Sequence, residues 1–404
     1  MARSIPIFTQ KTPSTVTNLE FKVSPPLALY VHVPWCVRKC PYCDFNSHEA
    51  NGKIPEAEYV AALIADLQSA LPLIWGRPVV SVFFGGGTPS LLSPAAIDEL
   101  LAAFRALAML SPEAEITLEA NPGAVEAEKF AGFRAAGVNR LSLGIQSFND
   151  GHLKALGRIH GAAEARRAAQ LAGEHFESFN LDLMYGLPGQ THEQALTDIE
   201  TALSFSPAHL SCYQLTLEPN TRFAAFPPEL PESDTCADMQ EAIEARLAAA
   251  GYVNYETSAF ARAGKQCRHN LNYWHFGDYL GIGAGAHSKL TLHDRVLRQM
   301  RWKQPNTYLE KMRAGSAVHE EDHVPASQLP FEFLMNALRL ANGFPPALFE
   351  ARTAQPLAAI LPQIHAAAAE GLLEFSPERI APTLKGMRFL NVLLERFLDD
   401  SGAG

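Results

Sequence analysis

Three cysteines, Cys36, Cys40 and Cys43, stand in the spacing Cys-x3-Cys-x2-Cys. No other residues in the chain are better suited to hold iron and sulfide. A four-iron cubane takes one ligand at each iron, and thiolate is the preferred one. Three thiolates leave one iron open. That corner can accept the amino and carboxylate groups of S-adenosylmethionine, whose sulfonium is then within reach of an electron from the cluster. Cleavage would yield a 5′-deoxyadenosyl radical, chemistry that belongs to the cofactor. A zinc ion with His32 or His48 as fourth ligand is the competing reading, although structural zinc sites more usually combine pairs of Cys-x2-Cys. Tyr42 sits inside the motif and Tyr30 precedes it on an apolar run. Either ring can stack on adenine or serve the core.

Something must hold that loop, and the chain supplies alternating elements. Apolar runs of strand length at Leu27–Val33, Val79–Phe84, Glu115–Ala120, Arg140–Gln146, Ser178–Met184 and His209–Leu217 alternate with amphipathic stretches at Glu56–Ile74, Pro94–Leu107, Ala127–Ala136, Ala162–Ala172 and Thr191–Phe205. A further helix is expected at Asp234–Ala250. Continuous apolar strands such as VVSVFF suit a parallel sheet covered on both faces. Each strand ends in a polar or Gly-rich segment: CVRKCPYCDF, GGGTPS, EANPG, QSF, YGLPGQ and EPNT. In a parallel α/β barrel such loops share one rim, where ligands bind. The fold class expected is therefore α/β, a partial (β/α)6 barrel.

The organisation expected is a loose N-terminal arm over 1–24, a barrel over 25–300 and a smaller domain over 301–404. The last part reads as helix, helix, short β-ribbon and helix, a winged-helix-like arrangement. Lys+Arg 33 against Asp+Glu 43 gives a net charge of −10, which argues against a broad nucleic-acid-binding face. Hydrophobic residues make up 47% of the 404, which excludes a disordered chain. Six cysteines are too few for a disulfide scaffold, and Cys212 and Cys236 read as bystander thiols. No run of about 18 apolar residues occurs, and the opening MARSIPIFTQKTPSTVTNLE lacks signal-peptide order. The expected location is cytoplasmic.

CVRKCPYCDF after a first strand and GGGTPS after a second resemble the radical S-adenosylmethionine (SAM) superfamily, whose fold is a partial (β/α)6 barrel. Glycines there let the backbone approach the cofactor without Cβ obstruction. Within the superfamily the chain resembles the oxygen-independent coproporphyrinogen III oxidase group, through HVPWCVRKCPYCDFNSH, FFGGGTPSLL, EANPG, NRLSLGIQSF, LGRIH and NLDLMYGLPGQ. The resemblance implies that Tyr30, Gly86, Gly87, Thr88, Glu119, Gln146, Arg158, Asp182 and Thr216 line cofactor pockets. Carboxylates at 119 and 182 would accept from ribose hydroxyls or an amino group, and Arg158 would fork onto a carboxylate.

Two features depart from that oxidase. It carries a fourth cysteine two positions after the third, where this chain has Phe45, and a long N-terminal segment unlike the one here. A second segment, QCRHNLNYWHFGDY, contains His269, Asn270, Tyr273 and Trp274 in the pattern HNxxYW. That pattern resembles the signature of the HemW-type haem chaperones, which bind haem and deliver it to acceptor proteins. Cys267, His269 and His287 are then candidate iron ligands, and Tyr273 and Trp274 candidate stacking partners for a porphyrin face. As residues alone, these are equally core aromatics and a hydrogen-bonded histidine. The resemblance implies a cluster, SAM and haem as cofactors, and haem and haem-acceptor proteins as partners. Such acceptors are often membrane-bound, while no span is expected in this chain. The alternative is an enzyme proper, an oxygen-independent coproporphyrinogen III oxidase.

Overall fold

The structure is a computed structural model that describes residues 19–50, 52–123 and 127–398. Most of the expected arm over 1–24 therefore lies outside the described residues. Within its remainder, Phe21 is buried and its N–H bonds to His293 O at 2.9 Å.

Six strands run parallel as expected: β1 (Leu27–Val33), β2 (Pro78–Gly86), β3 (Met109–Ala120), β4 (Arg140–Gln146), β5 (Phe179–Tyr185) and β6 (His209–Gln214). Between and after them lie α1 (Glu56–Ile74), α2 (Pro94–Leu107), α3 (Phe130–Ala136), α4 (Asp150–Ala155), α5 (Ala162–His175), α6 (His192–Ser204), α7 (Arg222–Ala225) and α8 (Ser233–Ala249). Local chemistry sets their starts. Ser93 accepts from Ala96 N ahead of α2, with Pro94 at the first helical position, and Thr191 forms a capping box with Gln194 ahead of α6. The helix α1 is long and apolar enough to cross a bilayer by length and composition, but its apolar face is taken up by Tyr59, Leu63, Leu67 and Ile74 in the core.

The sheet extends beyond the six strands. At one edge β7 (Val253–Glu256) and β8 (Ala259–Ala261) add antiparallel to β6. At the other, after α9 (Arg268–Trp274), β9 (Asp278–Ile282) pairs parallel with β1, followed by antiparallel β10 (His287–Thr291), β11 (Val296–Arg301) and β12 (Val318–His323). The helix α10 (Pro305–Arg313) separates the last two. The sheet thus continues past the boundary expected at residue 300. These strands are short, and the two that join them to the barrel, β8 to β6 and β9 to β1, pair with partners distant in sequence, so local pattern does not place them.

The C-terminal body has its own apolar cluster, centred on Phe333, Phe344, Phe349 and Ile364. It comprises α11 (Leu329–Ala337), α12 (Pro346–Thr353), α13 (Leu361–Ala369), the ribbon β13 (Leu373–Phe375) with β14 (Ile380–Pro382), and α14 (Leu384–Arg388) with α15 (Leu390–Glu395). Five helices stand where three were expected: one more precedes the ribbon, and the last is split into α14 and α15. The extra helix before the ribbon, α12, begins at Pro346, and proline suits a first helical position.

Candidate functional site

The C-terminal ends of β1 to β5 open into one cavity of about 750 Å³, counting space open to solvent. Cys36, Cys40 and Cys43 all line it and are free thiols. Their loop is closed by backbone. Trp35–Cys36 pairs in parallel with His48–Glu49, Cys43 N bonds to Cys40 O, and Lys39 Nζ donates to Phe45 O and Ser47 O at 3.1 and 3.3 Å. The glycine loop after β2 is stitched to the same segment, through Gly87 N to Val33 O and Thr88 N to Trp35 O, both 2.7 Å. Such proximity excludes side chains. A Cβ on Gly87 would lie 2.5 Å from Trp35 O, and Gly86, at φ +110°, would drive one into the His32 ring.

The donors fit an iron–sulfur cube. Burial, together with their mutual repulsion, pushes the Cys36 and Cys43 thiols up, so binding a cation there must release protons. Among the described residues, no three His, Cys, Asp or Glu side chains gather where a single ion could hold them. A cube instead takes each thiolate on a separate iron. The histidines named for zinc are engaged elsewhere. His32 donates from Nε2 to Asn46 O (2.8 Å) and accepts from the Tyr30 hydroxyl at Nδ1 (3.0 Å), while His48 Nε2 bonds to Asn46 Oδ1.

Of the residues expected around the cofactor, Tyr42, Gly86, Gly87, Thr88, Glu119, Gln146, Arg158 and Asp182 line this cavity. Arg158 donates to Asn121 Oδ1 (2.6 Å), Gly144 O (2.9 Å) and Cys40 Sγ (3.4 Å), tying β4 to the cysteine loop. Gln146 adopts φ +67°, a left-handed conformation that a non-glycine residue holds at some strain. Tyr30 stands beside the cavity, meeting Glu119 around Gly85 and leading to Phe83 and His269. Thr216 lies outside: it is exposed, and its hydroxyl donates to Gln214 O. Asn121 was missed. It donates to Thr88 Oγ1 (2.9 Å) and accepts from Arg158, and its signal was the Asn of the EANPG loop.

Burial, reinforced by the Asp182 charge, raises the Glu119 carboxyl to about 8. Asp182 is also raised by burial, against hydrogen bonds from Asn180 and Ser142. In the native chain Glu119 keeps its proton between 4.5 and about 8, whereas the unfolded chain loses it. Stability should therefore fall as pH rises through that window. Denaturant titrations from pH 5 to pH 8 should show a shallower fall for Glu119→Gln; an unchanged slope would contradict the assignment.

The HNxxYW residues sit on α9, below the cavity. His269 is 3% exposed, bonds through Nδ1 to Ser81 Oγ at 3.0 Å and stacks on Phe83, centroids 4.8 Å apart. Burial lowers it to about 3, so its ring is neutral. Tyr273 stacks on Tyr279 at 4.3 Å. Trp274 lies under the Arg339 guanidinium at 4.4 Å, joining α9 to the C-terminal body. Asn270 is half-buried, Cys267 is fully buried with Sγ directed to Glu115, and His287 is exposed at the start of β10. The structure thus brings His269 and Cys267 into one neighbourhood and leaves His287 on a strand end.

A hydrogen-bonded column connects this helix to the cavity. Asp182 accepts from Asn180, whose Oδ1 meets His209 Nδ1 at 2.7 Å; His209 Nε2 meets the Tyr255 hydroxyl at 2.8 Å, and that hydroxyl accepts from Cys267 N.

The sequence profile of the radical SAM superfamily matches residues 30–202, and that of the HemN C-terminal domain matches 324–389. The chain is 50% identical to Heme chaperone HemW of Escherichia coli over 376 residues, 93% of this chain and 98% of that protein. It is also 50% identical to Heme chaperone HemW of Haemophilus influenzae, over 93% and 99% of the two chains. The same-named protein of Mycobacterium tuberculosis is 36% identical over 92% and 95%. Among solved structures, coproporphyrinogen III oxidase (HemN) from Escherichia coli, described as a radical SAM enzyme, superposes with a TM-score of 0.78 at 25% identity, covering 93% of this chain and 90% of that one.

Proposed function

This chain belongs to the radical SAM superfamily and, within it, to the family of the Heme chaperone HemW proteins; we propose that it binds a [4Fe–4S] cluster, SAM and haem, and passes haem to acceptor proteins. The observation that carries the reading is the single cavity onto which three free thiols, the glycine loop and the Arg158–Asn121 pair converge. Cys36, Cys40 and Cys43 would hold the cluster, which when bound supplies a reducible iron with one open coordination position. The backbone at Gly86 and Gly87 leaves room for the amine of SAM, Glu119 and Asp182 offer acceptors, and Tyr42 offers a ring face.

Phe45 favours a chaperone over an oxidase. It lines the cavity mouth where the oxidase group has its fourth cysteine, and it is 60% exposed. For haem, His269 has the right donor, a neutral imidazole, but the ring must leave Ser81 and its stack on Phe83 to reach an iron. The proposed location is cytoplasmic, and the proposed acceptors include membrane-bound haem proteins.

Two measurements on one anaerobically reconstituted preparation test the proposal. Haem titration should give a saturable Soret band at micromolar protein, weakened by His269→Ala. Incubation with coproporphyrinogen III, SAM and a reductant should give no protoporphyrinogen. Turnover without haem binding would establish the oxidase instead.

A further inference from the structure

The two faces of the sheet are finished differently. On the face under the helices, Leu29, Val31, Val82, Phe84, Leu118 and Leu280 are at most 2% exposed. On the inner face Tyr30, Phe83, Glu119 and Tyr279 keep partial exposure, and Tyr213 is 42% exposed. A closed parallel barrel ordinarily fills its interior with packed side chains, so this interior leaves room for a guest. One row of neighbouring positions crosses it: Phe83 on β2, Tyr30 on β1, Gly281 on β9, His287 on β10 and Met300 on β11. No side chain stands at Gly281, whose backbone lies against His287 O. Of the three iron ligands expected from sequence, two are committed elsewhere. Cys267 is fully buried, and burial pushes its thiol up to about 12, so it keeps its proton. His269 is bonded to Ser81 and stacked on Phe83. His32 and His209, also on the inner face, are bonded at both ring nitrogens. His287 is exposed and makes no hydrogen bond among the described residues.

We propose that His287 is the protein's ligand to haem iron, and that the HNxxYW helix is the floor beneath the porphyrin and not the source of that ligand; this rests on the haem function proposed above. A free imidazole is a common protein ligand to haem iron and needs no internal bond broken to reach it. Met300, beside His287 in the row, offers a thioether as the competing donor. His269 then acts through its neighbours. Its ring braces Phe83 and Tyr273, with centroids 4.8 and 5.1 Å away, so His269→Ala weakens haem binding by loosening the floor and leaves the iron's ligand in place.

The test uses the full chain with its cluster reconstituted and two probes, ferric haem and metal-free protoporphyrin IX. Ligation of the iron predicts that the native chain binds haem at least about tenfold more tightly than the metal-free ring. His287→Ala should reduce that preference to within about twofold and alter the visible bands of the haem still bound. Added imidazole should restore the bands, a rescue that a merely structural loss would not allow. His269→Ala and Met300→Leu should each keep the native bands and the preference for iron. A folded His287→Ala chain that retains both would overturn the assignment while leaving haem binding intact, as would loss of the bands in Met300→Leu or His269→Ala instead. If His287→Ala fails to fold, His287→Gln decides by the same criterion. A native chain that binds haem no more tightly than the metal-free ring would overturn His287 as ligand. One that binds neither porphyrin would sink the haem function itself, and His287 with it.

Discussion

Replacing Cys36, Cys40 and Cys43 together by alanine is expected to lower reconstituted iron and acid-labile sulfide from about four of each per chain to background. The 400 nm absorbance should vanish with them. The argument rests on how the loop is held. Its closure rests mainly on the Trp35–His48 ladder, the Gly87 and Thr88 backbone bonds and the Lys39 contacts, which use no thiol, while the Arg158 contact to Cys40 Sγ is the tie the variant gives up. The variant should therefore keep its far-UV circular dichroism and its unfolding midpoint without metal, so that loss of iron reports lost ligands and not a lost fold. Any one of the three substitutions should also prevent a stable cube, because only two thiolates then remain. Ser47 stands 4.0 Å from Cys43 Sγ, too far to replace it without movement of the loop. A native chain that carries one zinc and no sulfide would refute the site outright.

The largest stability effect is expected at Asp278, immediately beyond the HNxxYW helix. This carboxylate is completely buried and accepts from Arg77 Nη2 (2.8 Å), Lys289 Nζ (3.1 Å), Thr291 N (2.7 Å) and Thr291 Oγ1 (2.8 Å). Burial pushes the Lys289 ammonium down and Asp278 opposes that push, so the pair stands or falls together. Asp278→Ala should cost about 3–5 kcal/mol in denaturant unfolding, the range for removing one partner of a buried ion pair. Adding Lys289→Met should recover part of the loss, since the stranded cation is then gone. The consequence reaches the candidate haem helix, because Asn272 of α9 donates to Asp278 O at 2.8 Å. A single substitution costing less than about 1 kcal/mol would show that the site relaxes or hydrates.

Most of the barrel was legible in the chain. The strand Leu27–Val33 and the helices Glu56–Ile74 and Pro94–Leu107 have the bounds that periodicity predicts, because buried parallel strands and amphipathic helices write their own hydrophobic patterns. Eight expected cofactor residues do share one cavity because they sit in the C-terminal halves of the parallel strands or in the loops after them, and those parts of a parallel sheet are forced onto one rim. Thr216 fails for a local reason: β6 ends at Gln214, so the residue has already left the rim. Ser142 was not singled out, since a polar side chain within a strand gives no sign in sequence of which neighbour it will meet, whereas Asn121 lay in the EANPG loop already expected on the rim.

The chain by itself determined the cysteine triad, the alternation that builds the rim and the glycines that let two loops touch; these follow from residue type and short spacing. Tertiary structure alone decided that a seventh parallel strand from residues 278–282 closes beside β1. It alone turned His269 inward onto Ser81 and Trp274 onto Arg339, and buried Arg140 among Glu115, Asp182 and Tyr255. Those outcomes join residues as far apart in the chain as Leu27 and Asp278. Such contacts depend on which faces pack together, a property of the assembled sheet that no local window of sequence contains.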